Sequence, residues 1–439
     1  MNTTARPFAT LDYVRGFRCL GAECEDNCCH DWDVNLNREH YERWNECFEA
    51  GSDERACLEA SVRLNPQPDR QRFARVELNV SGACPFLQAD GLCRVHRRHG
   101  EACLPDTCAT YPRVISRRQA TVEMAGALSC PEMVRCCFSD EQRGEVVPFS
   151  PEELPTGREL PLARILPELP TAPYERHFDA VRRAMVEIVR EPGVPFGDRL
   201  FRFVEFTHRI AAFYHSDCRE PGPQLAQERQ RLNTPASREA GVRRRPGGQE
   251  EPLAIMVVQA LLALRLQRFP EEAFADVVRE VLGSFSGEVE PLDPGDAAGV
   301  DFPPAPLATA FLGRCARVDG TFGARIEHYL SRYAENCLHR EWFIAMPDPY
   351  TFAHLLTVRL AVLRFLLYSH PAVLALVDGR SREATDIAPY GELDRTAVRI
   401  TYRFCRAFDH DLGFQEAVYR ALVEQDLLRF ELVSDLIWF

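Results

Sequence analysis

The feature that most limits what this chain can fold into is the run Cys19-Leu-Gly-Ala-Glu-Cys24-Glu-Asp-Asn-Cys28-Cys29-His-Asp-Trp32, which places four thiols within eleven residues. Thiol side chains are small and fill a hydrophobic core no better than alanine or valine, so packing gives no reason to crowd them. A soft metal centre does, because thiolates bind zinc or iron and short spacers let several converge on one ion or cluster. The same residue types return at Cys84-Pro-Phe-Leu87, Gly91-Leu-Cys93, Thr107-Cys108-Ala-Thr-Tyr-Pro-Arg113 and Ser129-Cys130-Pro131. These pieces read as one site assembled from the first third of the protein.

Thirteen of the 17 cysteines precede residue 140, and the amino terminus, Met1-Asn-Thr-Thr-Ala-Arg-Pro7, has neither an apolar run nor a cleavage signal. The expectation is a cytoplasmic protein with reduced thiols, where a cysteine cluster signals metal more often than disulfides. No apolar segment is expected to reach membrane-spanning length; the best, 253–264, is twelve residues long and contains Gln259. A peripheral membrane contact is left open, and the oligomeric state is not legible. A net charge of −13 argues against a nucleic-acid partner, since phosphate contacts need a basic face. Residues 1–145 hold 18 arginines against 23 acidic residues and the remainder 34 against 42, so neither part is basic. All 52 basic residues are arginine; a GC-rich genome is the plainer explanation.

Along the chain, Trp32, Val34 and Leu36 alternate with Asp33 and Asn35, as in a half-buried strand. Asn37 is placed to cap a helix carrying Tyr41, Trp44 and Phe48 at helical spacing, an aromatic stripe best read as packing. A second helix is expected over 53–64, stopped by Asn65-Pro66. Cys47 and Cys57 lie on these helices, away from any thiol cluster, and are expected not to ligate. A strand over 73–80, turns at Ser81-Gly82 and Ala89-Asp90-Gly91, a strand beginning at Cys93 and another over 121–128 complete a mixed domain, 1–145. Residues 146–175, rich in proline and acid, are expected to connect it to a helical domain, 176–439. There apolar positions recur every three or four residues over 178–190, 201–214, 253–269, 307–315, 326–343, 352–368, 394–408 and 415–430. The polar interruptions 219–251 and 284–306 are expected as mobile loops. The fold class is therefore mainly α, with a small mixed α+β cysteine-rich metal-binding domain at the N-terminus.

Eight thiols, Cys19, Cys24, Cys28, Cys29, Cys84, Cys93, Cys108 and Cys130, suffice for one cluster plus a zinc site, for two sites, or for one site with spares. The competing class is a non-enzymatic zinc- or iron-chelating scaffold; electron transfer is weaker, because it leaves the large helical domain without a purpose. A 4Fe-4S cluster held by three cysteines keeps one iron open to the amino and carboxylate groups of S-adenosylmethionine. The radical form of such a site uses Cys-x3-Cys-x2-Cys; here Cys24-x3-Cys28 is present, but residue 31 is aspartate. No glycine-rich loop follows a strand, so the doubly wound methyltransferase domain is not expected.

The constellation resembles the flagellin lysine-N-methylases, a family related to cysteine-rich zinc- or iron-chelating proteins. The resemblance rests on the run from Cys19 to Trp32, on Cys84-Pro-Phe-Leu87, Leu92-Cys93-Arg-Val-His96, Gly100-Glu101, Thr107-Cys108-Ala-Thr-Tyr111-Pro112-Arg113 and Leu128-Ser129-Cys130-Pro131-Glu132. His30-Asp31 departs from the basic residue and glycine the family has before the tryptophan, and Cys103, Cys136 and Cys137 stand outside its positions. The resemblance implies methyl transfer from S-adenosylmethionine to flagellin lysines by an enzyme with an iron–sulfur cluster. Lysine ε-amines are mostly protonated at neutral pH, so a polar transfer needs a base or a desolvating pocket. Glu101, Tyr111 and Arg113 are the candidate catalytic residues, with Glu25, Asp26 and Asp31 also near the cysteines. Arg113 is placed to hold the cofactor carboxylate through paired hydrogen bonds, or else to orient the loop after Cys108. A lysine methylase without lysines also cannot modify itself.

Overall fold

The computed structural model describes residues 8–30, 32–70, 72–118, 121–141, 143–153, 164–166, 173–214, 222–232, 234, 251–268, 272–292, 302–379 and 389–438. The chain falls into two compact units, 1–136 with 141–168, and 137–140 with 169–439.

The first unit holds two small sheets. Strands β1 (Phe8–Leu11), β5 (Arg113–Arg118), β6 (Thr121–Gly126), β7 (Val146–Pro148) and β8 (Arg164–Leu166) form a sheet of order β7-β1-β6-β5-β8. Its centre is the antiparallel pair β5 and β6, in register from Arg113 opposite Gly126 to Arg118 opposite Thr121, with β1 parallel to β6. Two of its strands come from 146–175, the stretch expected as a connection. The second sheet sets β2 (Val34–Leu36) and β3 (Val62–Leu64) on either side of β4 (Ala74–Val76). Val34 and Val62 flank Val76 in register and all three are buried, because side chains two apart share one face.

Helices α1 (Arg38–Cys47) and α2 (Asp53–Ser61) pack behind this sheet. Asn37 caps the first, its side-chain oxygen accepting the His40 N–H at 2.8 Å, and Ser52 caps the second through the Arg55 N–H at 3.2 Å. The helix expected over 53–64 stops at Ser61 because Val62–Leu64 finds a strand partner, and β-branched Val62 fits a sheet better than a helix end. Trp44, Phe48 and Phe86 sit at the middle of the buried cluster, each worth roughly 2–3 kcal/mol in surface removed from water. The Trp44 indole N–H donates to the buried Cys103 carbonyl at 2.6 Å.

The second unit is helical. The two helices expected over 307–315 and 326–343 are one, Pro304–Arg340; Gly320 and Gly323 lower its propensity, but Val318 and Phe322 keep the buried stripe continuous. Part of the expected loop 219–251 is the helix Gly222–Leu232, and much of the rest lies outside the described residues. The expectation that no segment reaches membrane-spanning length needs correction. Pro349–Ser369 is long and apolar enough by length and composition, although 83% of its apolar window is buried inside the protein. Cys137–Asp140 belong to this unit: the Cys137 carbonyl accepts from Arg332 Nε at 2.7 Å and Phe138 stacks on Tyr329 at 4.7 Å.

Candidate functional site

Short backbone clips carry the cysteines toward each other within the first unit. The Cys84 N–H donates to the Cys29 carbonyl at 2.8 Å, and His30 bridges Ala83, so the loop bearing Cys28 and Cys29 lies against the turn bearing Cys84. Asp26 and Asn27 shape that loop locally: Asp26 Oδ1 accepts the Asn27 N–H at 2.7 Å and Asn27 Oδ1 accepts the Cys29 N–H at 3.1 Å. The turns on either side of the Cys84 segment place Gly82 at φ 77° and Gly91 at φ 78°, where any side chain would be strained. Leu87 then bridges Cys93, and the Arg94 N–H reaches the Phe86 carbonyl at 2.8 Å. Cys93 does not begin a strand as expected; it is the N-cap of the helix Arg94–His99. Cys108 lies in the helix Asp106–Thr110, and Cys130 immediately precedes the helix Pro131–Phe138.

None of the eight predicted cysteines forms a disulfide. Five influence one another. Cys29 is held protonated first by its hydrogen bond to Cys28, then by burial and by the charges that would form on Cys93 and Cys84. Burial and the neighbouring thiols push Cys84 up to about 11, and burial raises Cys93 and Cys108, the latter also opposed by Cys93, Cys84 and Cys28. Cys130 adjoins that set through Cys28: burial pushes it up to about 12, and its thiol neighbours are Cys24 and Cys28. Cys24, raised by burial, feels Cys19.

Four of the sulfurs face backbone donors in one pattern. Cys24 accepts from the Asp26 amide, Cys84 from Phe86, Cys93 from Val95 and His96, and Cys130 from Glu132 and Met133, each lowering the cost of a thiolate. Amides aimed at sulfur from two and three residues downstream stabilise metal-bound thiolates and tune iron–sulfur centres. Reduced, convergent, amide-supported thiols fit the chemistry of a thiolate-held metal. Among the described residues, however, no three of His, Cys, Asp or Glu stand where they could hold a metal ion, which counts against a preformed single-ion site.

Around the thiols, Trp32 meets Tyr111 edge-on at 4.9 Å, and the Tyr111 hydroxyl lies 3.1 Å from Ser129 Oγ. Arg113, at the start of β5, lies over the Phe17 ring at 5.0 Å. Burial lowers its guanidinium, against the opposing pull of Glu101, Cys19 and Cys130. Glu101 itself is exposed. Asp31 lies outside the described residues. Two features went unread in the sequence. Cys57 is not remote from the thiols, since it feels Cys93 and is felt by Cys84. Arg135 pairs with Glu25 at 2.5 Å and with Glu132 one helical turn back, a link signalled only by the Glu132-x-x-Arg135 spacing.

The chain is 26% identical over 136 residues to the flagellar biosynthetic protein FliU of Salmonella muenchen, a match covering 29% of this chain and 75% of that protein. It is 28% and 26% identical over 136 residues to the lysine-N-methylases of Salmonella typhimurium and Salmonella choleraesuis, covering 29% of this chain and 31% of each of them. The chain thus spans less than a third of the length of those lysine-N-methylases. No family model and no solved structure matches. Over these 136 residues the chain is similar to lysine-N-methylases and to FliU.

Proposed function

We propose that this chain is a protein lysine N-methyltransferase that acts on flagellin in the cytoplasm, using S-adenosylmethionine and an iron–sulfur cluster, 4Fe-4S in type, held by its N-terminal cysteines. The observation that carries the reading is a coincidence: a chain similar to lysine-N-methylases also gathers reduced, amide-supported thiols with a cationic and an acidic side chain beside them. Zinc is the alternative occupant. A cluster suits the spacing better, because its ligands each bind a different iron and stand further apart than the ligands of one ion. When bound, the cluster supplies an iron site for the cofactor's amino and carboxylate groups.

The chain's own residues have separable roles. Arg113, its guanidinium partly desolvated, would pair with the cofactor carboxylate as a charge-assisted donor. In the transfer, the methyl group leaves the sulfonium sulfur for the lysine nitrogen, and the ammonium proton must go elsewhere. Of the candidate bases, Glu25 is paired with Arg135, Asp26 closes a turn and Tyr111 meets Ser129. Among the described candidates, Glu101, exposed and within the field of Arg113, would take the proton.

The test is incubation of anaerobically purified, iron-loaded protein with methyl-labelled S-adenosylmethionine and flagellin. Label is expected on flagellin lysines, falling at least tenfold in Glu101→Gln and Arg113→Gln. Iron-loaded protein that transfers no label to flagellin removes the proposal.

A further inference from the structure

We infer that an apolar cleft in the helical unit is a binding site for a small uncharged aromatic molecule that carries one hydrogen-bond donor, of the indole or phenol class. The inference goes beyond the methyl-transfer reading and does not depend on it. The cleft lies between elements of one compact unit. Phe352 and Leu355 line it from the helix Pro349–Ser369, Phe408 from the end of Pro389–Asp409, and Phe414 and Val418 from Leu412–Glu424. All five are buried, whereas Met346 and Gln415 are half-buried and mark the opening. The lining encloses about 440 Å³, part of it open to solvent.

The charges behind the lining decide against a charged guest. Arg359 is the one ionisable side chain of the lining, and both ends of its guanidinium donate to Glu341 at 2.7 Å. Asp409 lies 3.3 Å from the same group and accepts from Arg340 at 2.9 Å, so two arginines stand against two carboxylates. Arg265, over the Phe414 ring at 5.2 Å, is likewise paired with Asp411 at 2.9 Å. A guest ammonium or carboxylate loses its hydration there and finds no uncompensated partner. That excludes a sulfonium cofactor and a substrate lysine, and leaves neutral molecules.

The rings select among neutral molecules. Phe408 and Phe414 stand 5.2 Å apart at an interplanar angle of 88°, and Phe352 lines the same space as a third ring. An aromatic guest meets such walls through its face and its edge at once, which an alkyl chain cannot do. Gln415 supplies the polar contact. Its amide nitrogen donates to the Phe408 carbonyl at 3.1 Å, which fixes the amide and leaves its oxygen as the only side-chain oxygen of the lining. Among the described residues nothing donates to that oxygen. A guest N–H or O–H at the opening satisfies it while the ring stays in the apolar interior, and one placed polar group in an apolar wall is how small-molecule sites fix orientation.

The experiment is titration calorimetry of the full chain with four probes: indole, 1-methylindole, 1-hexanol and butylamine. Indole is expected to bind saturably, and 1-methylindole, which lacks the N–H, about five- to tenfold more weakly, the worth of one hydrogen bond. Hexanol and the butylammonium ion are expected to bind at least tenfold more weakly than indole. Val418→Phe fills the cleft and is expected to abolish indole binding. Gln415→Leu removes the acceptor and is expected to make indole and 1-methylindole bind alike. Circular dichroism shows whether each variant is folded, and the four probes on the unaltered chain test the assignment without either. Absence of saturable indole binding, equal binding of the two indoles by the unaltered chain, or tighter binding of hexanol or butylamine overturns the proposal. Undiminished indole binding by folded Val418→Phe overturns it too, because the site then lies elsewhere.

Discussion

His354 is completely buried in the helix Pro349–Ser369, and neither of its ring nitrogens has a hydrogen-bond partner. Burial alone holds it neutral, driving its pKa down to about 4. A buried polar group without partners costs about 1–3 kcal/mol. Replacing it with leucine is therefore expected to raise the unfolding free energy by about 1 kcal/mol or more, read from urea denaturation. A clear loss of stability would show that the imidazole is paired after all. Nearer the thiols, the single residues named from sequence separate by what they touch. Cys84, Cys93 and Cys130 each have backbone donors at sulfur and Cys108 is held by burial among thiols, while Asp26 and Tyr111 serve a turn and a hydroxyl contact.

Asn37 links two elements with one side chain. Its oxygen caps Arg38–Cys47 through the His40 N–H, and its amide nitrogen donates to Asp106 at 2.9 Å, at the start of the helix that carries Cys108. Asn37→Ala removes both contacts. The cap alone accounts for about 1 kcal/mol, up to about 2 in favourable cases. The variant is expected to lose 1–2 kcal/mol, about the cap's range, and to expose the Cys108 thiol to faster alkylation. Unchanged alkylation with reduced stability would confine Asn37 to capping. The cap was legible because Asn before a helical stripe has one strong local use. The helix at Cys93 was not, since Cys93-Arg-Val-His has no periodicity long enough to tell a turn of helix from a strand start.

Across the helical unit two histidines are held near pH 4: His354 by burial, and His370 by burial with Arg399 and Arg403. Their pKa values lie below the unfolded value of about 6.5, so below that pH the unfolded chain binds protons that the folded chain refuses. Their contribution is complete above pH 6.5 and fades as the pH falls toward 4. The melting temperature of the full chain is expected to drop across that window, and less steeply in His354→Leu. Parallel curves for the two proteins would remove His354 from the account. The unit also buries a balanced charge network, in which Asp409 accepts from Arg340 at 2.9 Å and Arg359 is bidentate to Glu341 at 2.7 Å. Removing one partner from such a pair leaves an uncompensated buried charge.

The residue pattern by itself determined the division into a cysteine-rich, strand-bearing first part and a helical remainder, because thiol crowding and a three-and-four apolar repeat are local signals. It also determined which sulfurs were candidates. Only the tertiary structure decided that 146–148 and 164–166 complete a sheet, that 304–340 runs as one helix, and that Cys57 and Arg135 approach the thiols. Those outcomes depend on partners far away in the chain. A strand is chosen by the edge it pairs with, and a side chain's charge matters only once folding has brought another within range.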